Sequence, residues 1–269
     1  DLWRRDFRIN AIALRLDPIP ELLDPTGGID DLEKQLLVAI SPSNLLEDPL
    51  RLLRGFRLKA EHNLALEKQT ISWIQSNKKL LRKVAPERIQ NELMRLVTGN
   101  WADEVLPLLK SVGILELWEN NEESEHNLHL TFHKDVEIFE PEEKALALPL
   151  ARLTNLLSDE GLKNLRFSRR QQQRCQLLRK WQGRNDGQAF ETLSETNRIE
   201  LHKDLEKDLP ALILHLEEPQ KKDWLRRWRD LNDPLFHPAS PLDGKALQES
   251  LELSPGRDLG RLINHLSHE

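Results

Sequence analysis

The sequence predicts a mainly α-helical fold that follows a short opening segment of mixed character. Three observations carry that prediction. Leu, Glu, Lys, Arg and Gln, all good helix formers, are abundant, whereas 11 glycines and no tyrosine in 269 residues argue against a many-turned β-sandwich. From Ser43 onward, apolar residues recur at helical spacing almost throughout. Only the first forty residues break that rhythm, and they read as the end of an α/β domain whose beginning lies upstream.

In that opening segment Phe7, Ala11 and Leu14 are spaced as on a helix through Leu14, and Asp17-Pro18-Ile19-Pro20 ends it. Asp24-Pro25-Thr26-Gly27-Gly28 is a turn on its chemistry, and Asp30-Asp31 opens a short helix expected to reach Leu37, with its acids where the helix dipole favours them. Apolar stripes follow at Leu46, Leu50, Leu53 and Ala60, at Ile71 to Leu81, and at Ile89, Leu93, Leu96 and Val97, with Pro86 at a helix start. Further helices are expected over Ala102 to Val112, Pro141 to Asn155, Ser168 to Trp181, Asn197 to Leu205, Leu209 to Glu217 and Gln220 to Leu231. A linker from Asp233 to Pro241 leads to a small helical tail.

Several classes are excluded or disfavoured. One cysteine, Cys175, forbids an internal disulfide and a cysteine-based zinc cage; it fits a reducing compartment and reads as a small core residue. There is no apolar run of membrane-spanning length and no signal peptide at Asp-Leu-Trp-Arg-Arg, so the expected location is cytoplasmic. His126 and His129 sit near acids in a polar stretch and read as solvated, not as metal ligands.

The net charge of −6 is unevenly spread. Gly161 to Arg184 holds eight basic residues and no acid, and Lys221 to Arg229 holds five basic residues, one acid and two tryptophans. Solvated helical faces are the plain reading of both, with Trp224 and Trp228 in the core. A locally basic surface can nevertheless hold phosphates, because screening limits distant charges to about 8–10 Å.

Two motifs carry more information. In EDPLRLLRGFR, residues 47 to 57, an acid at 48 and an arginine at 51 would stand one turn apart on a helix. An i, i+3 ion pair is ordinarily a surface feature worth a few tenths of a kcal/mol. Gly55, on the same helical face, costs the helix about 1 kcal/mol relative to Ala and is read as leaving room for something flat. A carboxylate beside a guanidinium complements the amine and ring nitrogen of cytosine or adenine, and not the carbonyls of uracil or guanine. Such a bidentate contact discriminates by about 1–3 kcal/mol. The second motif, RRDFRINA at 4 to 11, is either a solvated turn over Phe7 or a set of arginine forks for phosphate with Asp and Asn for ribose hydroxyls.

RRDFRINA, DPTGGIDDL at 24–32, EDPLRLLRGFR and PERIQNELMRL at 86–96, in that order, resemble the motifs of class II tRNA nucleotidyltransferases and bacterial poly(A) polymerases. LKNLRFSRRQ and the closing SPLDGKALQESLELSPGRDLGRLI resemble family segments more weakly. The resemblance implies that Arg4, Arg5, Asp6 and Asn10 contact ribose and triphosphate, and that Asp24, Gly27 and Gly28 belong to a hinge between head and neck. Glu47 would belong to the nucleotide-binding motif, where Asp48 and Arg51, with Arg54, would select incoming CTP or ATP. Arg88 and Glu92 would support that segment. Arg166, Arg169, Arg170 and Arg174 are expected to meet the RNA backbone. Arg8 departs from the family, which commonly has threonine there.

The implied organisation is the end of a nucleotidyltransferase head at 1–40, a base-reading neck at 41–100, a helical RNA-binding body at 101–235 and a tail at 236–269. Family enzymes hold Mg²⁺ through an Asp-x-Asp pair, and this sequence has none. The expectation is therefore a chain that needs upstream carboxylates for catalysis and is inactive alone. The implied reaction adds C and/or A to the tRNA 3′ end from CTP and ATP, without a nucleic-acid template. Poly(A), CC-only or A-only addition, and a non-catalytic RNA-binding module, remain open at this stage.

Overall fold

The computed structural model describes residues 1–119, 132, 136–183, 193–233, 236–237, 244–251 and 255–266. Arg184, His126, His129 and most of the expected 233–241 linker lie outside the described residues. The chain divides into two compact units, one built mainly from Asp1–Glu123 and Arg152–Gln173, the other mainly from Asp135–Ala151 and Arg174–Glu269. Residues 1–40 and 41–100, expected as separate segments, thus fold within one unit.

The opening segment is not a helix. Two 3-10 turns, Leu2–Arg4 and Arg8–Asn10, lead into strand β1 (Ala13–Arg15), which pairs antiparallel with β2 (Glu21–Leu23) in the register Leu14↔Leu22. The prolines at 18 and 20 turn the chain back, so Leu14 becomes a strand residue that is 58% exposed, whereas Phe7 and Ala11 are fully buried. Helical spacing had grouped three residues that belong to two different surfaces.

Helix α1 (Gly28–Glu33) stops short of Leu37. Gln35 adopts φ 51°, and Leu36–Leu37 forms β3, parallel to β4 (Ala65–Leu66). Gly27 holds the turn before α1 at φ 78°, a region that disfavours side chains, and a Cβ on Gly28 would lie 2.2 Å from the Arg8 carbonyl oxygen. The Asp24 carboxylate accepts the backbone N–H groups of Gly28 (2.8 Å) and Ile29 (2.9 Å). The Ile29 bond foremost holds the Asp24 carboxyl below its ordinary range.

The largest correction concerns residues 47 to 57. They do not form one helix: α2 (Pro42–Glu47) ends at Asp48, which is extended (φ −136°, ψ 99°), and α3 (Leu50–His62) starts after Pro49. Proline lacks an amide hydrogen and disfavours helical backbone in the residue before it, which accounts for the break at this position. Leu50, Leu53 and Ala60 are buried as expected, while Leu46, on the other side of the break, is 40% exposed.

The rest of the first unit follows its apolar periodicity. Helices α4 (Lys68–Asn77), α5 (Pro86–Thr98) and α6 (Ala102–Val112) pack Ile74, Ile89, Leu93, Leu96, Val97, Val105 and Leu109 into one core around α3. The Ile71 to Leu81 stripe divides into α4 and a 3-10 helix, Lys78–Lys83. Helices α7 (Pro141–Leu156), α8 (Asp159–Asn164) and α9 (Arg169–Gly183) follow, α8 being a single capped turn too short to show periodicity. Within this unit Arg152, 4% exposed, forks onto Asp103 (2.8 and 2.9 Å) and also donates to the carbonyls of Val97 and Gly99.

In the second unit, α10 (Glu195–Leu205), α11 (Leu209–Ile213) and α12 (Gln220–Arg229) bury Leu201, Leu205, Leu209, Leu212 and Leu225, with Cys175, Leu178 and Trp181 of α9. Trp224 and Trp228 are half-buried, not core: Trp224 meets Phe236 edge-on at 5.1 Å and Trp228 donates to the Glu206 carbonyl at 3.3 Å. Two tail helices, α13 (Gly244–Leu251) and α14 (Arg257–Leu266), close the described chain. No helix among the described residues is long and apolar enough to cross a membrane.

Candidate nucleotide site

The RRD motif is anchored by backbone pairing. Phe7 bridges Ala39, Arg8 N–H donates to the Val38 carbonyl (3.0 Å) and Ile40 N–H to the Asp6 carbonyl (3.1 Å). That pairing buries Phe7 and Asp6 together. The Asp6 carboxylate, 4% exposed, accepts the Phe7 N–H (2.9 Å) and the Asn10 amide (3.0 Å) through Oδ1. Its Oδ2 stands 3.0 Å from Arg54 Nε on α3, an ion pair whose N–H is not aligned on the oxygen, so neither atom makes a hydrogen bond. A buried oxygen of this kind has an accepting position open, which suits a hydroxyl donor.

Asn44 joins this turn to Arg51. Its side-chain amide donates to the carbonyls of Trp3 (2.7 Å) and Arg5 (2.6 Å), while its own carbonyl accepts Arg51 Nη1 at 2.7 Å. The Ser41 hydroxyl caps α2 at Asn44 N–H (3.2 Å) and donates to Asn44 Oδ1 (2.6 Å). Glu47 lies between two arginines, 2.5 Å from Arg4 and 3.7 Å from Arg51. The bond from Arg4 lowers the Glu47 carboxyl's pKa and raises that of Arg4.

Asp48 and Arg51 do not pair with each other. Asp48 Oδ2 accepts Arg88 Nη2 from α5 at 2.7 Å, and Oδ1 accepts the Leu50 N–H at 3.3 Å. Burial pushes the Asp48 carboxyl upward, but the Arg88 bond, the Leu50 N–H and the charges of Arg88 and Arg51 together bring it below its ordinary value. The acid is thereby presented as a carboxylate with a free lone pair on each oxygen, beside an Arg51 fork that has spent one N–H on Asn44.

Gly55 has a different role from the one its position suggested. A Cβ there would lie 3.0 Å from Phe7 Cζ, so the flat group it admits is the core ring of the RRD motif and not a ligand. Close packing of α3 on Phe7 is what brings Arg54 to Asp6.

The structure thus gathers these residues into a network of three contacting groups: Asn10 with Asp6 and Arg54, Arg4 with Glu47 and Arg51, and Asp48 with Arg88. Arg5 faces Asp1 at 3.5 Å instead. Arg8 turns toward Asp31, 4.0 Å away, whose burial raises its pKa; the charge where threonine was expected therefore points to the Asp24-Gly28 turn and its helix. Glu92 accepts Arg57 Nε at 2.6 Å, and Arg57, 3% exposed, also reaches Glu61. Asn44 and Arg57 escaped sequence reasoning: an asparagine near a helix start reads as a cap, and a buried arginine inside an apolar stripe gives no signal until its partners are known.

Of the arginines expected on RNA, Arg166 pairs with Glu87, and Arg169 and Arg170 are exposed. Arg174 forks onto Asp208 at 2.6 and 2.7 Å, which raises its pKa and occupies the face that would hold a phosphate. In 221–229, Lys221 is buried, Arg227 pairs with Asp233 and Arg229 with Glu143, so that basic run largely serves its own unit.

The Mg²⁺ implied by the sequence motifs finds no fitting donor set. Among the described residues no group of three or more His, Cys, Asp or Glu is arranged to hold a metal ion.

Residues 1–38 match the poly A polymerase head domain family, and residues 63–118 match the family described as the probable RNA and SrmB-binding site of polymerase A. The CCA-adding enzyme of Streptococcus sanguinis (strain SK36) is 29% identical over 296 residues, covering 100% of this chain and 67% of that protein. A CC-adding tRNA nucleotidyltransferase of Synechocystis is 26% identical, covering 99% and 70%. Among solved structures, the Bacillus stearothermophilus CCA-adding enzyme in complex with CTP aligns at TM-score 0.67 and 22% identity, over 99% of this chain and 68% of that one. The Thermotoga maritima CCA-adding enzyme complexed with tRNA aligns at TM-score 0.74 and 18% identity, over 100% and 68%. The chain spans about two thirds of the length of these long-matching relatives. Residues 1–38 thus match the end of a polymerase head domain, and the mainly helical chain has the fold of the CCA-adding enzymes over about two thirds of their length. Over these segments the chain is similar to tRNA nucleotidyltransferases and poly(A) polymerases.

Proposed function

We propose that this chain is the nucleotide-selecting and RNA-holding part of a tRNA nucleotidyltransferase that adds C and/or A to the tRNA 3′ end, with CTP and ATP as substrates. The observation that carries this reading is the Asp48 carboxylate, held ionised by Arg88, beside the Arg51 fork positioned by Asn44. Arg51 donates to the ring nitrogen and Asp48 accepts from the exocyclic amine of cytosine or adenine. Uracil and guanine would set a carbonyl against the carboxylate.

Around that pair, Arg4 and Arg5 bind triphosphate oxygens, while Asp6, oriented by Asn10 and Arg54, accepts from a ribose hydroxyl. Glu92 braces α3 through Arg57. The Asp24-Gly27-Gly28 turn is the hinge between residues 1–40, the end of the head, and residues 41–100, the neck. Residues 101–235 form the body and 236–269 the tail. Arg166, Arg169 and Arg170 are offered to the RNA backbone, and Arg174 contributes only by giving up Asp208. The reaction joins the RNA 3′ oxygen to the α-phosphate and releases pyrophosphate. Mg²⁺ chemistry belongs to the reaction class, and no step through the metal is assigned to the residues described here.

The test uses the polypeptide carrying this chain, tRNA ending before its CCA, and each labelled nucleotide in turn. Incorporation of C, A or both, with UTP and GTP refused, is the expected result. Long A tracts would mark poly(A) addition. RNA binding without incorporation of any nucleotide would replace the reading by a non-catalytic RNA-binding module.

A further inference from the structure

A second candidate site lies in the first unit, lined by residues that the network above does not use. Lys78, Lys79 and Arg82 of the 3-10 helix, together with Gly113, Leu117 and Trp118 at the end of α6, line a pocket of about 450 Å³. Pockets for small organic ligands run from about 300 to 1,000 Å³, so one nucleotide unit is accommodated.

The pocket is built, not incidental. Gly113 ends α6 at φ 66°, a backbone conformation that disfavours a side chain, and the Lys78 ammonium lies close over it. Lys78 is held there by Glu116 at 3.1 Å. The carbonyl of Trp118 accepts the Ser158 N–H at 2.9 Å, which fixes that wall to the start of α8.

The pocket also carries charge that is not spent on carboxylates. Arg4, Arg54, Arg57, Arg88, Arg95, Arg152 and Arg166 of the same unit are each paired with a carboxylate. Lys79 and Arg82 are exposed and, among the described residues, pair with none. Two uncommitted cations beside an indole and the 58%-exposed Leu117 match the two halves of a nucleotide, an anionic phosphate and an apolar base face.

We propose that this pocket receives one nucleotide of the bound RNA, with its phosphate held by Lys79 and Arg82 and its base covered by Trp118 and Leu117. The proposal rests on the RNA partner proposed above and adds a place for it.

The experiment measures binding of tRNA ending before its CCA by the polypeptide carrying this chain, across a range of salt concentrations. Three forms are compared: the natural protein, K79A/R82A and W118L. Loss of the one phosphate held by both side chains should flatten the salt slope of log K by about 0.7 for a single-stranded segment, and W118L should weaken binding about tenfold or more with the slope retained. CTP and ATP binding by both variants should be unchanged. Lys79 and Arg82 are exposed, so matching thermal melts would establish that K79A/R82A is folded.

Each alternative outcome is decisive. RNA affinity and slope unchanged in both variants would overturn the site while leaving the RNA reading intact. Loss of CTP or ATP binding without loss of RNA binding would reassign the pocket to a free nucleotide. No RNA binding by the natural protein would overturn the site together with the reading on which it rests.

Discussion

Arg88 donates to Asp48 across forty residues of chain, Nη2 to Oδ2 at 2.7 Å, and thereby takes the place that Arg51 would fill in a simple i, i+3 pair. The consequence is division of labour. Arg88 fixes the acid as a carboxylate, and Arg51 stays available as a donor.

Replacement of Arg88 by alanine removes the strongest bond that lowers the Asp48 pKa, while burial continues to raise it. The carboxyl should therefore titrate at higher pH in Arg88→Ala than in the natural protein. Because the folded value is depressed, Asp48 contributes stability above its unfolded value near 3.9, and that contribution is lost as pH falls through the folded value. A carboxyl-carbon NMR titration of Asp48 reads the shift directly; coincident curves would remove Arg88 from this role.

The contact between Gly55 and Phe7 predicts that Gly55→Val destabilises by about 1–3 kcal/mol, since a Cβ already meets Phe7 Cζ at 3.0 Å. The added strain outweighs the gain of about 1 kcal/mol or less expected from removing a helical glycine. Urea melts should show part of the loss recovered in Gly55→Val/Phe7→Leu. Equal or greater stability of the single variant would contradict the packing argument.

Much of this arrangement was legible in the sequence. The RRD and EDxxR motifs picked out residues that the fold brings into contact, Arg4 with Glu47 and Asp6 with Arg54, and 3.6-residue periodicity placed α5 and α6 almost to the residue. Local pattern failed where tertiary pairing decided the outcome. Residues 2–14 carried helical spacing yet form two 3-10 turns and the start of a strand, because Phe7 and Arg8 pair with residues 38 and 39 and two prolines fold β1 onto β2. Asp48 looked like one face of a helix, and Pro49 made it the extended end of another. Gly55 looked like space for a ligand because its neighbour in the fold lies 48 positions earlier.

Asn44→Asp is nearly isosteric but replaces the two donors to Trp3 and Arg5 by acceptors facing those carbonyls. Each such bond is worth about 0.5–1.5 kcal/mol, so stability should fall by about 1–3 kcal/mol. In transfer assays KM for CTP and ATP should rise more than kcat falls, the signature of a positioning role. An unchanged melt and unchanged KM would refute it.

In the second unit His202 is 5% exposed, and its burial foremost lowers its pKa to about 4. The unfolded chain therefore binds the proton more readily between that value and about 6.5, so stability is full above the upper value and declines as pH falls toward the lower. His202→Phe should flatten that decline in pH-dependent urea melts; an unchanged pH profile would show that His202 does not carry it.

The most direct measurement is nucleotide choice by Asp48→Ala in the polypeptide carrying this chain, with tRNA ending before its CCA and equimolar CTP, ATP, UTP and GTP. The account predicts that the natural protein incorporates only C or A, and that the variant, still folded, loses about 1–3 kcal/mol of that discrimination. Undiminished selection by the folded variant would contradict the central claim that Asp48 and Arg51 read the base.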